Sequence, residues 1–459
     1  MHQPFKLVAT SAAVLLLAGC ATMNFDDALN NTRQASQSFV PSSLELRKTD
    51  EQRQAGADRS AQLLAKPLTM DGAVQLALAN SPAVQTLLAQ SWADIATINQ
   101  TGRIANPLLS FERTQLGNEV ELNRLLSFGL LDLLTLPRRQ GIASNQTAQA
   151  NIQLSLNVVD SVAQVRQSWV RAVAAEQTAR YAEQVSKSAQ ASAELAKRMQ
   201  EAGNFNKLQR ARQQVFYADA IAQLALDRQA ATAAREELVR MLGLDDAQTA
   251  KLQLPDRLPE LPEQPRQAAD LNTSALQQRL DVQMARLQLD GAGKAQGLDM
   301  LSKLVDVEVG VRRDTVTDTS SNQSADRNGY SLALRLPLFD WGGAQRAAMN
   351  AQTLAAANHF ESVVRAAAPQ LRTSYSAYRT SYDLAKHYRD EIVPLRKSIS
   401  EENVLRYNGM LIGVFELLAD SREQIASVMS AIHAQQQFWL ADAALSTALL
   451  GKPQLKETP

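Results

Sequence analysis

The sequence predicts a mainly α-helical protein with a β part, built from two tandem repeats of helix, β-hairpin, long helix and long helix. Three features predict this fold class. Apolar residues recur three or four positions apart over long stretches, which is helical spacing. Shorter stretches alternate apolar and polar residues, which is typical of strands with one apolar face. The same order of patterns returns after about 200 residues, which indicates an internal duplication.

The amino-terminal end has the pattern of a bacterial export signal. Lys6 precedes an apolar run over 7–17 that is too short to cross a membrane, and the sequence L-A-G-C then ends at Cys20. This ending resembles the bacterial lipobox, which implies removal of residues 1–19 and lipidation of Cys20, palmitate included. Ala21, where aspartate would favour inner-membrane retention, implies sorting to the outer membrane. The alternative is an ordinary signal peptide that ends near a cysteine.

The composition argues against several classes of protein. The chain has 47 basic and 47 acidic side chains in 459 residues, so no basic excess points to nucleic acid. Aromatic residues make up 5%, which is low for a compact α/β enzyme. Cys20 is the single cysteine, so no disulfide can form within one chain. His359, His387 and His433 lack metal-ligand spacing, and no catalytic motif occurs, so we predict no enzyme, metal or cofactor.

The first repeat begins after a polar tether. Thr69 or Asp71 can cap its first helix, which restarts at Pro82 and runs to about Gly102. A hairpin of two strands follows at about 107–137, closed by a proline, and then a helical hairpin at about 142–243. The predicted divisions are a signal peptide 1–19, a lipidated tether 20–67, a first repeat 68–250, a Pro-rich linker 251–270, a second repeat 271–451 and a tail 452–459.

The second repeat shows the strand pattern more clearly. Its hairpin is predicted at about 304–340, with alternation over 305–311 and 332–338 and a polar loop between, over 314–328. Phe339-Asp340-Trp341 and a double glycine follow, and a helical hairpin is predicted at about 344–451. Its stripe of tyrosines, at 375, 378, 382 and 388, is interpreted as packing between helices.

The duplication has a physical consequence for assembly. Arg406 follows Arg198 by 208 positions, Gly451 follows Gly243 by the same distance, and Pro337 follows Pro137 by 200. Two strands in each half make four per chain, an open sheet with two bare edges that lipid cannot accommodate. Closed barrels need at least about eight strands. Three chains would supply twelve, and the long, thinly apolar helices would form the wall of a tube.

The chain resembles the TolC-like outer-membrane efflux proteins from about residue 68 to 451. The resemblance lies in the pattern L-T-x-D-x-A-x-x-x-A-L-x-N-S-P over 68–82, Ala275-Leu276 with R-L-D-V over 279–282, L-P-L-F-D-W-G-G over 336–343, R-Y-N-G over 406–409, and glycines at both repeat ends. It implies a homotrimer with a twelve-stranded outer-membrane barrel continued by a periplasmic α-helical barrel. It also implies a periplasmic adaptor (membrane fusion) protein and an inner-membrane pump, of the RND or ABC type, as partners.

The sequence departs from the family pattern at several places. Leu280 stands where proline is frequent, the tip glycine would fall near Met410, and Pro369 lies inside the second long helix. These departures concern the geometry of the tip and the loops rather than the fold.

The resemblance also implies two functional regions. The helix turns would form a periplasmic tip that constricts the tunnel and docks the adaptor, with acidic rings that favour cations. The strand-to-helix junctions would join barrel and tunnel, with an aromatic belt at 330, 339 and 341 or plain packing there. The predicted tip residues are Arg198, Glu201, Gly203, Lys207, Arg210, Arg406, Gly409, Gly413, Glu416 and Asp420. The predicted junction residues are Pro137, Pro337, Phe339, Trp341, Gly342 and Gly343.

The expected function is therefore passive export through an outer-membrane duct. The alternative is a periplasmic coiled-coil lipoprotein that acts as an adaptor or scaffold without a pore. The alternating strands favour the duct, because a soluble scaffold has no use for a lipid-facing pattern.

Overall fold

The computed structural model describes residues 25–35, 39, 44–267, 279–304, 306–335 and 338–451, and of residues 297–304 and 306 only the backbone. Cys20 with its lipobox, and Pro337, lie outside the described residues. In chain order the elements are α1 Asp26–Ala35, α2 Asp50–Leu64, α3 Met70–Asn80, α4 Pro82–Thr101, β1 Leu108–Leu116, β2 Glu119–Gly129, α5 Leu130–Glu201, α6 Lys207–Leu242, α7 Asp246–Thr249, α8 Leu280–Leu304, β3 Asp306–Asp318, β4 Gln323–Arg335, α9 Gly343–His387, a π-helical segment Tyr388–Ile392, α10 Val393–Asn408 and α11 Val414–Leu449.

The predicted fold class is confirmed: the described chain is mainly helical and carries one small antiparallel sheet. The order of helix, two strands, long helix and long helix occurs in both halves. The four strands pair in the order β1-β2-β3-β4, so the two hairpins join through β2 and β3. Strands β1 and β4 are the outer strands of this sheet. None of the described helices has the length and hydropathy that a membrane span requires.

The start of the first repeat follows the predicted capping pattern. The Thr69 hydroxyl accepts a hydrogen bond from the Gly72 N–H over 3.1 Å, which makes Thr69 the N-cap of α3. Pro82 occupies the first turn of α4, where its missing N–H costs nothing, and α4 ends at the C-cap Gly102. These three boundaries of the first repeat were predicted from the sequence.

The segment predicted as a polar tether contributes to the core. Helices α1 and α2 lie within it, and Phe25, Leu29, Phe39 and Leu64 are buried in the same cluster as helices α3 to α6. Trp169 is buried there too, and its indole Nε1 donates to the Leu68 carbonyl over 2.8 Å. Residues 20–67 are mostly polar, and the few apolar residues that pack into the core are widely spaced. The sequence therefore indicated a tether.

The prediction of a polar loop over 314–328 was wrong. Strands β3 and β4 extend through it, and the connection is a turn at 319–322. The low strand propensity of these polar residues indicated a loop. In the structure, backbone hydrogen bonds between β3 and β4 hold them in strands, together with contacts such as the ion pair of Arg313 and Asp326 at 2.6 Å. Thr315 also donates to Asp326, over 2.8 Å. Sheet pairing here outweighs the low strand propensity of Asp and Asn.

The first long helix of the hairpin predicted at about 344–451 is interrupted. Five residues from Tyr388 to Ile392 are π-helical, and α10 then carries Pro394 in its first turn. A proline lacks the N–H that would bond the carbonyl four residues back, so the ladder shifts at this point. The tyrosine stripe packs between helices as predicted: Tyr378 and Tyr382 are buried against Phe438 of α11, and Tyr375 and Tyr388 are partly buried beside them.

The Pro-rich linker runs along the helices of both repeats. Three of its own side chains are buried: Leu252, Leu258 and Leu261. The hydroxyl of Tyr382 donates to the Pro262 carbonyl over 2.9 Å, and the Arg266 N–H donates to the Tyr378 hydroxyl over 3.1 Å. The tyrosine hydroxyls therefore secure the linker while their rings fill the core.

Candidate functional site

The turn between α5 and α6 is closed by a Schellman motif. The Asn204 N–H donates to the Met199 carbonyl over 2.8 Å, and the Gly203 N–H donates to the Gln200 carbonyl over 3.0 Å. Gly203 has a φ of 78°, a left-handed conformation that glycine adopts without steric cost. The first turn is therefore built around one of the predicted tip residues.

The turn between α10 and α11 has the same hydrogen bonds with a different residue at its centre. The Leu411 N–H donates to the Arg406 carbonyl over 2.8 Å, and the Met410 N–H donates to the Tyr407 carbonyl over 2.9 Å. Met410 has the left-handed φ, 59°, whereas Gly409 has a φ of −79°. The sequence does supply a glycine, but one position before the place where the motif needs it.

The two Schellman motifs correct the predicted alignment of the repeats. Met410 lies 207 positions after Gly203 (410 minus 203), so Arg406 is equivalent to Met199 and not to Arg198. At the far ends of α6 and α11 the left-handed glycines, Gly243 and Gly451, keep the predicted spacing of 208. The stretch from the left-handed residue of the turn to the left-handed glycine at the far end is therefore one residue longer in the second repeat, although α6 and α11 each have 36 residues.

The two helical hairpins are joined to each other at this end, a feature that sequence reasoning missed. Phe205 lies in the connection between α5 and α6 and stacks on Phe415, which lies in the first helical turn of α11. The ring centroids are 4.7 Å apart. Val414 and Ala196 are buried in the same cluster. The one available signal is that both phenylalanines flank a helix start in a chain poor in aromatics. We call this end of the two helical hairpins, residues 196–216 and 405–422, the tip.

A second contact joins the hairpins above the stacked rings. The Arg422 guanidinium lies over the ring of Phe216, with its central carbon 4.2 Å from the centroid. Its Nη2 donates to Oε1 of Gln213, a buried side chain of α6, over 3.0 Å. Sequence reasoning did not single out any of these three residues, because nothing in one helix indicates which residue of another will face it.

The structure does not pair the predicted acidic residues with the predicted basic ones. Arg198 binds Glu194 of its own helix at 3.0 Å, and Arg210 donates to Gln200 over 3.0 Å. Glu416 is exposed, while Asp420 is buried and its Oδ2 has no hydrogen-bond partner among the described residues. The remaining predicted tip residues with charged side chains are exposed: Glu201, Lys207 and Arg406. Gly413 is the N-cap of α11.

The second strand–helix junction turns at one glycine of its double glycine. Gly342 has a φ of 72° and is the N-cap of α9, and its N–H donates to the Asp340 carboxylate over 2.8 Å. Gly343 is the first helical residue and has no positive φ. One glycine of the pair therefore makes the turn. Phe339 and Trp341 beside it are 99% and 71% exposed.

The first junction lies eight residues earlier than predicted. Strand β2 ends at Gly129 and α5 begins at Leu130, so Pro137 lies inside the helix and does not close the hairpin. The apolar run 130–136 is compatible with either a strand or a buried helix. The sequence analysis took Pro137 as the end of the hairpin. In the helix, the Arg139 guanidinium donates to the Asp132 carbonyl over 3.0 Å, close to the turn where the proline has no N–H to offer.

One face of the sheet carries apolar rows over the half that adjoins the helices, and the other face carries most of the charged side chains of the strands. Antiparallel register aligns Leu109, Leu126, Val311 and Tyr330 in one row across all four strands. Phe128, Val309 and Leu332 form the next row toward the helices, and most of these side chains are exposed. We call this face the outward face. The opposite face carries the carboxylates of residues 112, 121, 308 and 314 and the arginines at 312, 327 and 335.

The comparisons with known proteins fit this arrangement. Residues 271–401 match the family model described as outer membrane efflux protein. The matched segment, less than a third of the 459 residues, is similar to outer membrane efflux proteins. The efflux-protein match begins before α8 and ends within α10, so it includes the second junction and the whole of α9. No curated protein sequence matches the chain.

Solved outer-membrane proteins share the fold of this chain at low sequence identity. The outer membrane protein VceC from Vibrio cholerae is 14% identical over 83% of this chain and 96% of that chain, with a TM-score of 0.68. The Campylobacter jejuni CmeC outer membrane channel is 12% identical over 89% and 87%, with a TM-score of 0.67. The open state of the Neisseria gonorrhoeae MtrE outer membrane channel is 16% identical over 85% and 88%, with a TM-score of 0.65.

Within the described ranges, no three His, Cys, Asp or Glu side chains are grouped as metal ligands.

Proposed function

We propose that this protein is the outer-membrane exit duct of a tripartite efflux or type I secretion system. It would let small molecules, metal ions or polypeptides pass from an inner-membrane pump to the exterior without catalysis of its own. The observation that carries the proposal is the sheet: an outward face with apolar rows, a polar opposite face, two outer strands, and helices that continue directly from it. Lipid-embedded barrels have an apolar exterior and a polar interior.

The outer strands argue for assembly with further copies of the chain. An open four-stranded sheet in lipid would leave the backbone groups of β1 and β4 without partners, which costs several kcal/mol for each group. Pairing β4 of one copy with β1 of the next satisfies both edges. Three copies would close a twelve-stranded barrel, and α5, α6, α9, α10 and α11 of the three copies would enclose the periplasmic tunnel.

The tip supports a docking role for the periplasmic adaptor. Met410 is 93% exposed, and Leu411, Leu405 and Leu208 are exposed beside it. Exposed apolar residues clustered at one end of a long helical rod are typical of a surface that a partner covers. The partners in this proposal are the adaptor and an inner-membrane pump of the RND or ABC type. Lipidation at Cys20 would anchor the chain from the periplasmic side.

Membrane fractionation and planar bilayers test the proposal. The Cys20→Ala protein should still need detergent for extraction, should migrate as a heat-sensitive trimer, and should form conducting channels once purified. The barrel, and not the lipid, then holds it in the membrane. Release of Cys20→Ala as a soluble monomer would instead support the periplasmic scaffold. Since a scaffold gains nothing from exposed Leu332 and Tyr330 on a sheet, that outcome would also leave the outward face without an explanation.

A further inference from the structure

The outward face carries a row of arginines directly beyond its apolar rows. Register places Arg124 of β2 directly opposite Arg313 of β3 on this face. Arg113 of β1 lies diagonally from Arg124, because its own partner is Leu122. The three arginines therefore cross three adjacent strands at nearly one level. We call this set the arginine row.

This arrangement leaves positive charge unneutralised. Like charges directly opposite each other across two strands destabilise a sheet. Asp326 is the one acidic residue of the strands that register places on the outward face, and it binds Arg313 at 2.6 Å. Arg124 donates to the Thr315 hydroxyl, a neutral partner, and its Nε is buried with no hydrogen-bond partner among the described residues. The arginine row thus keeps a net charge of two positive units per chain.

The position of the row relates it to the membrane. It lies on the side of the apolar rows that faces away from the helices, next to Phe111 and one row beyond Tyr330. Tyr330 is 91% exposed, whereas Phe339 and Trp341 stand at the helical end of the same hairpin. Aromatic residues at both borders of an apolar band mark the two interfaces of a membrane. The arginine row would then lie at the exterior interface, at the level of lipid headgroups.

We propose that Arg113, Arg124 and Arg313 bind the phosphate groups of the phosphorylated glycolipid of the outer leaflet. This inference rests on the proposed function, because it needs the sheet to be embedded with its helices in the periplasm. Arginine suits the task, since its planar guanidinium binds phosphate oxygens through two parallel hydrogen bonds.

The test compares two sets of substitutions on opposite faces of the same strands. The first variant replaces all three arginines of the row with glutamine. The control variant is Arg327→Gln with Arg335→Gln, which removes arginines from the opposite face of β4. Purified proteins in a nonionic detergent receive diphosphorylated lipid A, enzymatically dephosphorylated lipid A, or inorganic phosphate. Bound lipid is counted by native mass spectrometry, and the melting temperature of the assembly is followed in parallel.

The proposal expects diphosphorylated lipid A to bind the wild-type and control proteins and to raise their melting temperatures. Dephosphorylated lipid A and inorganic phosphate should have no such effect, and the triple variant should lose at least tenfold in lipid affinity. Equal binding by the triple variant and the wild type overturns the proposal, as does equal binding of the two forms of lipid A. If the triple variant still conducts in bilayers, the proposed duct function stands whichever way the lipid result falls. If the wild type neither inserts nor conducts, the duct function itself has failed.

Discussion

Phe205 and Phe415 stack at the tip with ring centroids 4.7 Å apart and ring planes inclined by 22°. They come from different helical hairpins and lie about two hundred residues apart in the chain. The contact fastens the first hairpin to the second inside one protomer. Any motion that separates the hairpins at this end has to break it.

We predict that the two rings are energetically coupled. Replacing either with alanine should lower the free energy of unfolding by about 3 kcal/mol, because Phe205 is buried and the site cannot collapse fully. The double variant should lose about 1 kcal/mol less than the two single losses together, since aromatic pairs of this kind contribute about that much beyond burial. Chemical denaturation followed by circular dichroism measures the cycle. Strict additivity would show that the stack is incidental.

A second prediction concerns gating by the acidic tip residues. Replacing Glu416 and Asp420 together with alanine should raise single-channel conductance in planar bilayers. Both lie on the early turns of α11, where three copies would form narrow acidic rings, and neither has an ion pair among the described residues. Asp383→Ala serves as the control, because that carboxylate pairs with Arg379 on the exposed side of α9. Conductance equal to that of the control would remove both residues from the gate.

The double glycine at the junction offers a third prediction with an internal control. Gly342→Ala should destabilise the protein by roughly 1–2 kcal/mol, because its left-handed φ of 72° brings a Cβ against the next carbonyl oxygen. Gly343→Ala should be neutral or slightly stabilising, since an added Cβ there meets no atom within 4 Å and alanine favours helix. Thermal denaturation of the two variants side by side distinguishes them. Equal effects would mean that the pair acts only as a flexible spacer.

The buried Arg279 provides a fourth prediction, for stability. Its side chain is 1% exposed, binds both carboxylate oxygens of Asp281 at 2.7 and 3.0 Å, and donates to the Ala367 carbonyl. Arg279→Met should cost about 3–5 kcal/mol, because it leaves a largely buried carboxylate without its partner. The exposed pair of Arg379 should cost less than about 1 kcal/mol when broken by Arg379→Met. Comparable losses in the two variants would contradict a structural role for the buried pair.

A fifth prediction uses the titration of Asp442. Burial raises the pKa of its carboxyl above the ordinary 3.8, although the guanidiniums of Arg266 and Arg166 act in the opposite direction. The folded state therefore binds this proton more tightly than the unfolded state. The stabilising contribution is complete below 3.8 and is lost as pH rises through the raised pKa.

The Asp442→Asn variant removes that titration. The stability of the wild type relative to the variant should therefore fall as the pH rises from about 3.5 to about 7. Melting temperatures of both proteins at several pH values check this. A difference that does not change with pH would show that the Arg266 ion pair, at 3.0 Å, cancels the effect of burial.

Much of the architecture follows from local pattern. The spacing of Val158, Val162 and Trp169 can only bury one side of a helix, and the alternation over 305–311 can only give a strand with two different faces. The positive φ at Gly342 and Gly203 also follows from the residue type, because few other residues adopt that conformation. The long helices, the apolar face of the strands and the glycine turns at Gly203 and Gly342 were therefore determined by the sequence itself.

The tertiary structure decided the rest. Pro137 belongs to a helix, and the polar residues at 314–318 and 323–328 belong to strands, because neighbouring strands and helices supply partners that local propensity does not count. The same reason explains the tip, where Phe205 meets Phe415 and Arg422 meets Gln213. A contact between distant segments depends on how whole helices are oriented, and no periodicity within either segment encodes that orientation.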